Sequence, residues 1–226
     1  MTPFDWSRYL ETFGLSSAPE RTRYEPQPDS PWSCPDCGAP VAIGVRAVGI
    51  LDLRCPAHGI RYAVPPLGLS GELVERLPRP ARMNPEERLW ILSAACAEIL
   101  EGSDPDRYIV VDATQHPCEF LILRQWPDGL AVEVSGREWD CPHCGNRPLP
   151  AANAEALQEL GFVPGGRHRN PWRGDLPTDA RGLAVLVERT LTVAYDLATD
   201  VEVVVYPHDT AACRRLIERL SRPSAL

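Results

Sequence analysis

Two pairs of residues that commonly bind metal ions lie in the N-terminal third of the chain. Cys34 and Cys37 are separated by two residues, and Cys55 and His58 repeat that spacing. A two-residue gap allows both side chains of a pair to reach one ion, and thiolates with an imidazole are a usual ligand set of tetrahedral zinc. Four protein ligands leave no open coordination position. The pattern therefore predicts a structural zinc site and not a catalytic one.

The residues between the two pairs predict the local fold of this site. The stretches VAIGVRAV and GILDLRC are typical of two short strands joined by a turn near Gly49, which is the hairpin of a zinc ribbon. Gly38 and Gly59 follow the two ligand pairs and permit the positive φ that such turns often need. A segment of about 35 residues buries too little apolar surface to fold alone, so we expect the metal to supply much of its stability.

A third pair, Cys141 and Cys144, encloses Pro-His and is compatible with two chemistries. The CPHC motif resembles the dithiol of thioredoxin-fold oxidases, in which the first cysteine follows a strand and begins a long helix that lowers its pKa. Here Gly-Asn-Arg-Pro-Leu-Pro follows Cys144 directly, and two prolines and a glycine prevent a helix. The context favours a second zinc knuckle, with a thiol oxidoreductase as the weaker alternative.

The other ligands of this knuckle are predicted from strand pairing. If EFLILRQ and LAVEV pair antiparallel, the residues just before Glu119 lie near the chain that leads to Cys141. The alternative is a half-buried Cys118 on a strand, His116 in a loop, and a cysteine pair that is unmetallated or completes another site. We expect a second zinc ion bound by His116, Cys118, Cys141 and Cys144.

The elements that must position these residues divide the chain into four parts. Residues 1–30 form an N-terminal arm that prolines interrupt, residues 31–66 the zinc ribbon, and residues 67–83 a Pro-rich linker. Residues 84–226 predict an α+β domain with the inserted knuckle. The apolar residues of the arm are Phe4, Trp6, Tyr9, Leu10 and Phe13.

The C-terminal part shows long periodic elements. Asn84 and Pro85 predict the start of a helix that ends at Gly102, and YIVVDA, EFLILRQ and LAVEV predict an antiparallel β-meander. The helix AANAEALQEL ends at Gly161, a longer helix is capped by Thr178, and the strand VEVVVY precedes a last helix. Strands in a meander flanked by helices belong to the α+β class, not to a doubly wound sheet.

Composition limits the compartment and the use of the cysteines. No apolar run approaches the roughly 18 residues of a membrane helix, and the first residues, MTPFDWSRYLETFG, do not form a secretory signal. We therefore expect a cytoplasmic protein whose eight cysteines bind metal or lie in the core. Cys96 and Cys213 lie on apolar helix faces and are predicted to be small core residues. All 23 basic side chains are arginine, which is typical of a bacterial genome of high GC content.

The distribution of charge bears on possible partners. Basic and acidic residues balance in 1–82, and the net charge of −8 resides in 83–226. A nucleic-acid-binding protein usually presents a basic face to phosphate, so general affinity for DNA or RNA is not expected. The alternative is local recognition by the ribbon, in which arginines contact phosphates and aromatic rings stack on bases. The residues available for that role are Arg46, Arg54, Arg61, Tyr62 and Trp32.

The order of these elements and several stretches of the chain resemble the TY-Chap superfamily, which joins type III secretion chaperones and YbjN-like proteins. The matching stretches from about residue 86 to 220 are YIVVDA, EFLILRQ, LAVEV, EALQELGFVPGG, NPWRGDLP and LAVLVERTLTVAYDL. The resemblance implies a domain that holds extended or helical segments of partner proteins, often as a homodimer. The knuckle at Cys141 to Cys144 is a departure from the pattern of that family.

The sequence thus favours a non-enzymatic zinc-binding adaptor or a peptide-binding, chaperone-like protein. No acidic pair, Ser-His arrangement or phosphate-binding glycine loop stands in a sequence context that supports catalysis. The expected partner is a protein or peptide with a basic or apolar segment, and neither nucleic acid nor a membrane is expected. The alternatives are a nucleic-acid-binding zinc ribbon and an oxidoreductase that uses Cys141 and Cys144.

Overall fold

The fold is α+β, as the sequence predicts, with a mostly regular antiparallel sheet and helices packed against it. The computed structural model describes residues 27, 29–30, 32–34, 36–47, 50–55, 61–64, 75–76, 82–102, 104–105, 107–113, 119–135, 149–164 and 170–221. The described strands are β1 (Ala42–Ala47), β2 (Ile50–Arg54), β3 (Arg61–Val64), β4 (Glu75–Arg76), β5 (Tyr108–Ala113), β6 (Phe120–Trp126), β7 (Gly129–Val134), β8 (Trp172–Arg173) and β9 (Val203–Pro207). The described helices are α1 (Pro85–Glu101), α2 (Ala151–Glu159), α3 (Ala180–Tyr195) and α4 (Thr210–Ser221). None of them is long and apolar enough to cross a membrane.

The described strands form one sheet in the order β4-β3-β2-β1-β9-β5-β6-β7-β8, and neighbouring strands are antiparallel. The predicted meander of β5, β6 and β7 is confirmed, and β6 pairs with β7 from Leu121↔Val134 to Trp126↔Gly129. β9 follows the other strands in sequence but lies between β1 and β5. Its pairing with β1 consists of one register pair, Val45↔Val205. The hairpin predicted for the ribbon and the predicted meander therefore share one sheet.

The two faces of the sheet differ because side chains alternate along each strand. One face joins the helices in the main apolar core, as Ile109 and Val111 of β5 and Val203 and Val205 of β9 show. The opposite face, here called the second face, has its own small apolar cluster in which no described helical residue takes part. The second face carries Ala42, Gly44, Asp52, Arg54, Tyr108, Val110, Asp112, Phe120, Ile122, Arg124, Glu133, Val204 and Tyr206.

The ends of the helices follow local capping rules. Asn84 caps α1, because its side chain accepts a hydrogen bond from the backbone N–H of Glu86 at 2.9 Å, and Gly102 ends this helix as predicted. The prediction for α3 was wrong by one residue. Asp179, not Thr178, is the cap, and its carboxylate accepts from the backbone N–H of Gly182 at 2.7 Å. Both residue types are good caps, and the chain uses the one whose side chain reaches the first turn.

Candidate metal centre and second sheet face

The first predicted ligand pair lies on a tight turn. The backbone N–H of Cys34 donates to the carbonyl of Ala39 at 2.8 Å, and that of Gly38 donates to the carbonyl of Cys34 at 2.7 Å. Gly38 has a φ of 71°, which is in the left-handed region and confirms the role predicted for this glycine. The backbone N–H of Val41 donates to the carbonyl of Trp32, so a further backbone hydrogen bond joins the residues on either side of the turn. The turn holds the first ligand pair beside the start of β1.

Three thiols converge at this turn. The sulfur atoms of Cys34, Cys37 and Cys55 lie within 4.8 Å of one another, and the Sγ atoms of Cys37 and Cys55 are 3.7 Å apart. A disulfide would bring two sulfurs to about 2.0 Å. Two thiolates on one tetrahedral zinc ion, each with a Zn–S bond of about 2.3 Å, lie about 3.8 Å apart. The three thiols therefore fit a shared metal ion better than they fit an oxidised pair.

The candidate metal centre is built into the edge of the main core. Cys34 and Cys55 are buried with Trp32, whereas Cys37 is exposed. Cys55 directly follows β2, and Cys34 directly precedes the turn that leads into β1. A shared ion would therefore tie the two strands together at the end opposite their connection and hold this hairpin against the core.

The other predicted cysteine and histidine sites have different outcomes. Cys96 and Cys213 are confirmed as core residues, and burial raises the pKa of each thiol to about 12. Both are therefore protonated at neutral pH and unsuited to act as nucleophiles. The ligand role of His58 and the second zinc site stay predictions. Outside the described residues lie five of the predicted ligands, namely His58, His116, Cys118, Cys141 and Cys144.

The centre of the second face contains a buried tyrosine–aspartate contact that sequence reasoning missed. Gly44 on β1 lies between Asp52 on β2 and Tyr206 on β9. The Tyr206 ring covers this glycine, and its hydroxyl donates to the carboxylate of Asp52. Both partners are almost fully buried. The small residue is needed here because a Cβ at position 44 would lie 2.6 Å from Cε1 of Tyr206 and 2.9 Å from Cγ1 of Val204.

We expect Gly44→Ala to destabilise the protein by about 1–3 kcal/mol, because the added methyl overlaps the Tyr206 ring and displaces it from Asp52. Chemical denaturation of Gly44→Ala, Tyr206→Val and the double variant measures the free energy of unfolding. The losses should be clearly less than additive, because Tyr206→Val removes the atoms that clash. Additive losses would show that position 44 and the ring do not interact.

A buried ion pair crosses the second face. Nη1 of Arg54 on β2 lies 3.0 Å from Oδ2 of Asp112 on β5, and both side chains are less than a tenth exposed. β1 and β9 lie between these strands, and in a flat sheet three strand spacings amount to about 14 Å. The strand registers also offset the two residues by about four positions, or about 13 Å, along β9, so the sheet must twist or curve to bring the pair together.

Two residues named for the nucleic-acid alternative are thus unavailable to phosphates or bases, because Asp112 holds Arg54 and Trp32 lies in the core. The side chains of Arg46, Arg61 and Tyr62 lie outside the described part of the chain, so the alternative itself stays a prediction.

Partly buried aromatic and apolar side chains continue the second face across β5 and β6. Tyr108, Phe120 and Ile122 are partly buried and pack against the small apolar cluster. The guanidinium carbon of Arg124 lies 5.6 Å from the ring centre of Tyr108 and 5.0 Å from that of Trp126. These distances are within the range of cation–π attraction. This part of the face therefore carries partly buried rings and an aliphatic side chain, and the buried guanidinium group of Arg124 lies over two of the rings.

Glu133 on β7 adds a buried carboxylate to the second face. Burial raises the pKa of Glu133 to about 7, and the nearby charge of Arg124 and a hydrogen bond with Asn170 offset burial only in part. An acid whose pKa is higher in the folded state than its usual value of 4.5 binds its proton more tightly when folded. This contribution to stability is present below pH 4.5 and is lost as the pH rises toward 7.

We expect the free energy of unfolding of Glu133→Gln to fall less between pH 4.5 and pH 7 than that of the unaltered protein. In the unaltered protein, the Glu133 carboxyl group causes a fall in unfolding free energy on the order of 3 kcal/mol over this range, because each pKa unit corresponds to about 1.4 kcal/mol. Glutamine does not titrate, so the variant lacks this fall. Urea denaturation at several pH values measures it, with Asp128→Asn as the control at an exposed carboxylate. Equal pH profiles for Glu133→Gln and the unaltered chain would contradict the assigned burial effect.

A cavity of about 370 Å³ lies where α1 ends, near the start of β5 and the end of β9. Its charged groups are paired within the protein. Glu98 lies 2.7 Å from Arg215, and Nε2 of His208 lies 3.2 Å from Asp209 and 3.4 Å from Asp104. The ion pairs that line the cavity therefore join α1, α4 and the end of β9. We infer that they stabilise the fold.

Comparisons of the chain with models of protein families, with curated proteins and with solved structures each found no match. Any inference about function therefore rests on two local features. One is the group of three thiols that can share a metal ion, and the other is a sheet face with aromatic and charged side chains. The two features are connected, because Arg54 of the second face directly precedes Cys55 of the candidate metal centre.

Proposed function

We propose that this chain is a non-enzymatic protein-binding module, stabilised by zinc, whose second face holds a segment of a partner protein. The observation that carries the binding role is the second face itself. In it Tyr108, Phe120 and Ile122 are only partly buried, and no described helix belongs to the apolar cluster on which they pack. A face of this kind is typical of a surface that receives another apolar segment.

The partner segment that fits this face is apolar and aromatic. Tyr108, Phe120 and Ile122 supply contact area, and rings with few rotatable bonds lose little entropy when they become ordered. Arg124 is itself buried and lies over the rings of Tyr108 and Trp126, so its role is to hold these rings in place. We infer that the segment is mainly aromatic and apolar.

The metal in this proposal is zinc, bound by Cys34, Cys37 and Cys55 with His58 as the fourth ligand. Three thiolates form a soft donor set, and soft sulfur ligands favour zinc over magnesium, calcium or manganese. A closed tetrahedral ion supplies structural stability and no open position for a substrate. Its role is to fix the end of β2, where the second face begins at Arg54.

The proposed binding role also bears on the family to which the C-terminal part of the chain belongs. We propose that residues 84–226 are a TY-Chap-like domain, and two findings support this. Apart from the two-residue strand β8, which lies where the resemblance implies a loop, the described order of helix, three-strand meander, helix, helix, strand and helix is the order on which the resemblance rests. The partly buried rings also occupy a sheet face, which is one of the surfaces that the resemblance implies for binding.

The binding role is tested with a defined ligand library. Displayed random peptides of about twelve residues are selected on the protein, and the enriched peptides are expected to be aromatic and apolar. Their binding, measured by fluorescence anisotropy, should weaken at least about tenfold in Ile122→Gln, which corresponds to roughly 1.4 kcal/mol. The matched control is Val185→Gln, because Val185 is an exposed apolar residue on α3. Selected peptides that bind both variants equally would contradict the assignment of the second face.

A further inference from the structure

One of the three thiols in the candidate metal centre faces solvent. Cys37 is exposed, whereas Cys34 and Cys55 are at most 1 % exposed. Cys37 lies on the tight turn next to Gly38, and a Cβ added to this glycine would meet no described atom within 4 Å. Nothing in the described part of the chain therefore covers the outer side of the turn. A small solute can reach the sulfur atom of Cys37 more readily than those of the two buried cysteines.

The exposed sulfur atom has a second sulfur atom close to it. Sγ of Cys37 lies 3.7 Å from Sγ of Cys55. A disulfide needs a separation of about 2.0 Å, so the two atoms must approach each other by about 1.7 Å. Cys55 directly follows β2 and is buried in the core, so the residue that has to move is Cys37 on its exposed turn.

A zinc ion at this centre also keeps the sulfur atoms in a form that reacts with oxidants. Cysteine binds zinc as the thiolate, and the thiolate is the form that attacks a peroxide. Susceptibility to oxidation follows thiolate character and exposure, and among the described cysteines only Cys37 combines the two. Cys96 and Cys213 have neither property, because both are buried and protonated at neutral pH.

We propose that Cys37 is a modification site at which hydrogen peroxide converts the metal centre into a Cys37–Cys55 disulfide, so that zinc is released. This inference rests on the zinc site of the proposed function and gives that site its regulation. Its expected trigger is a small, uncharged oxidant that reaches the exposed turn.

The reaction has two steps. The Cys37 thiolate attacks one oxygen of the peroxide, the O–O bond breaks, and hydroxide leaves, which gives a sulfenic acid at Cys37. The Cys55 thiolate then attacks the Cys37 sulfur, so the S–S bond forms, the S–O bond breaks and a second hydroxide leaves. The two sulfur atoms lose two electrons in total, and the peroxide takes up these electrons and two protons to become two molecules of water.

The oxidation exchanges one cross-link for another. Of the three thiolates only Cys34 remains as a ligand, so the ion is no longer held. The disulfide joins the turn before β1 to the residue after β2, which are the segments that a shared ion would join. It links residues 18 positions apart, and closing a loop of this length constrains the unfolded chain. We therefore expect the oxidised chain to stay folded without zinc.

The test exposes the zinc-loaded full chain to hydrogen peroxide beside an untreated sample, with a chromophoric zinc chelator in both. About one equivalent of zinc per chain should be released by peroxide, with an unchanged circular dichroism spectrum. Tryptic digestion without reductant should then yield residues 24–46 joined to residues 55–61, and cleavage before Asp36 separates Cys34 from Cys37 and so identifies the partner of Cys55. Retention of the zinc, or a disulfide of Cys34 with either other thiol, would overturn the proposal.

The matched control is Cys37→His, because imidazole keeps a zinc ligand at this position but offers peroxide no sulfur atom. This variant should keep its zinc content and release the ion at least about tenfold more slowly in peroxide. Cys96→Ala, which removes a buried thiol outside the group of three, should respond like the unaltered chain. Equal release rates for Cys37→His and the unaltered chain would contradict the role of Cys37.

Failure of the proposed function would give a different result. A chain purified without zinc at Cys34, Cys37 and Cys55 would remove the metal from the proposed function and this inference with it. A chain that holds zinc and binds the selected peptides, but keeps its zinc in peroxide, would overturn this inference alone.

Discussion

Protein purified without chelator is expected to contain zinc that depends on Cys34, Cys37 and Cys55, because these thiols converge at the spacing of ligands on one ion. Cys55→Ser should lose one zinc per chain, as measured by plasma emission spectroscopy. It should also lose about 3–4 kcal/mol of unfolding free energy when free zinc exceeds the dissociation constant 100- to 1000-fold. The reason is that the ion binds the folded hairpin and not the unfolded chain.

The control for this prediction is Cys96→Ala, which removes a buried thiol that is not in the group of three. That variant is expected to lose stability through its cavity but to keep the full zinc content. Cys141→Ser tests the second predicted site in the same assay, because it should lose one further equivalent only if that site exists. A Cys55→Ser variant with unchanged zinc content would contradict the first site.

Arg88 on α1 is the other position at which one substitution should have a large effect. Its side chain is fully buried, and Nε lies 2.8 Å from the Glu188 carboxylate on α3. Nη1 donates to the carbonyls of Ala198 and Val201 at 3.0 and 2.7 Å. Burial lowers the pKa of Arg88, while Glu188 and Asp200 act against that shift. One guanidinium group thus joins two helices and the segment that leads into β9.

We expect Arg88→Ala to cost about 3–5 kcal/mol of unfolding free energy, because it leaves a partly buried carboxylate and two carbonyls without their donor. Guanidinium denaturation followed by circular dichroism measures the loss. The paired replacement Arg88→Met with Glu188→Leu should recover most of it, because apolar side chains of similar volume need no ionic partner.

The matched control is Arg82→Ala, which breaks an exposed ion pair with Asp200 at 3.1 Å. Exposed pairs contribute at most about 1 kcal/mol, so this variant should be close to the unaltered protein. An Arg88→Ala loss no greater than that of Arg82→Ala would show that the buried contacts around Arg88 do not stabilise the fold.

Features with local causes could be predicted from the sequence. The Asn84 cap, the strands of the meander and the turn at Gly38 depend on residues within a few positions of one another, and each is present in the structure. The approach of Cys55 to Cys34 and Cys37 was also predictable, because a hairpin brings residues at its two ends together. The error at Thr178 arose from two adjacent residues with equal capping ability.

The second face could not be predicted, because it depends on sheet order and curvature. Asp52 and Arg54 alternate with Leu51 and Leu53, and that pattern usually indicates a strand with one face in water. The strand order and the curvature instead bury both charges, with Asp52 against Tyr206 and Arg54 against Asp112. The only signal in the sequence was the isolated charge of Asp112 within an apolar strand.

The position of β9 has a consequence for how the protein is made. The strands before it cannot be joined into one sheet until β9 has been synthesised, because β1 and β5 are neighbours of β9 and not of each other. Contacts between residues so distant in sequence raise the contact order and slow folding. During synthesis on the ribosome, the edges of β1 and β5 therefore remain unpaired until β9 is available, and unpaired strand edges promote aggregation. We infer that folding is completed only after β9 has been synthesised. Zinc bound early by the three thiols would stabilise the hairpin of β1 and β2 until then.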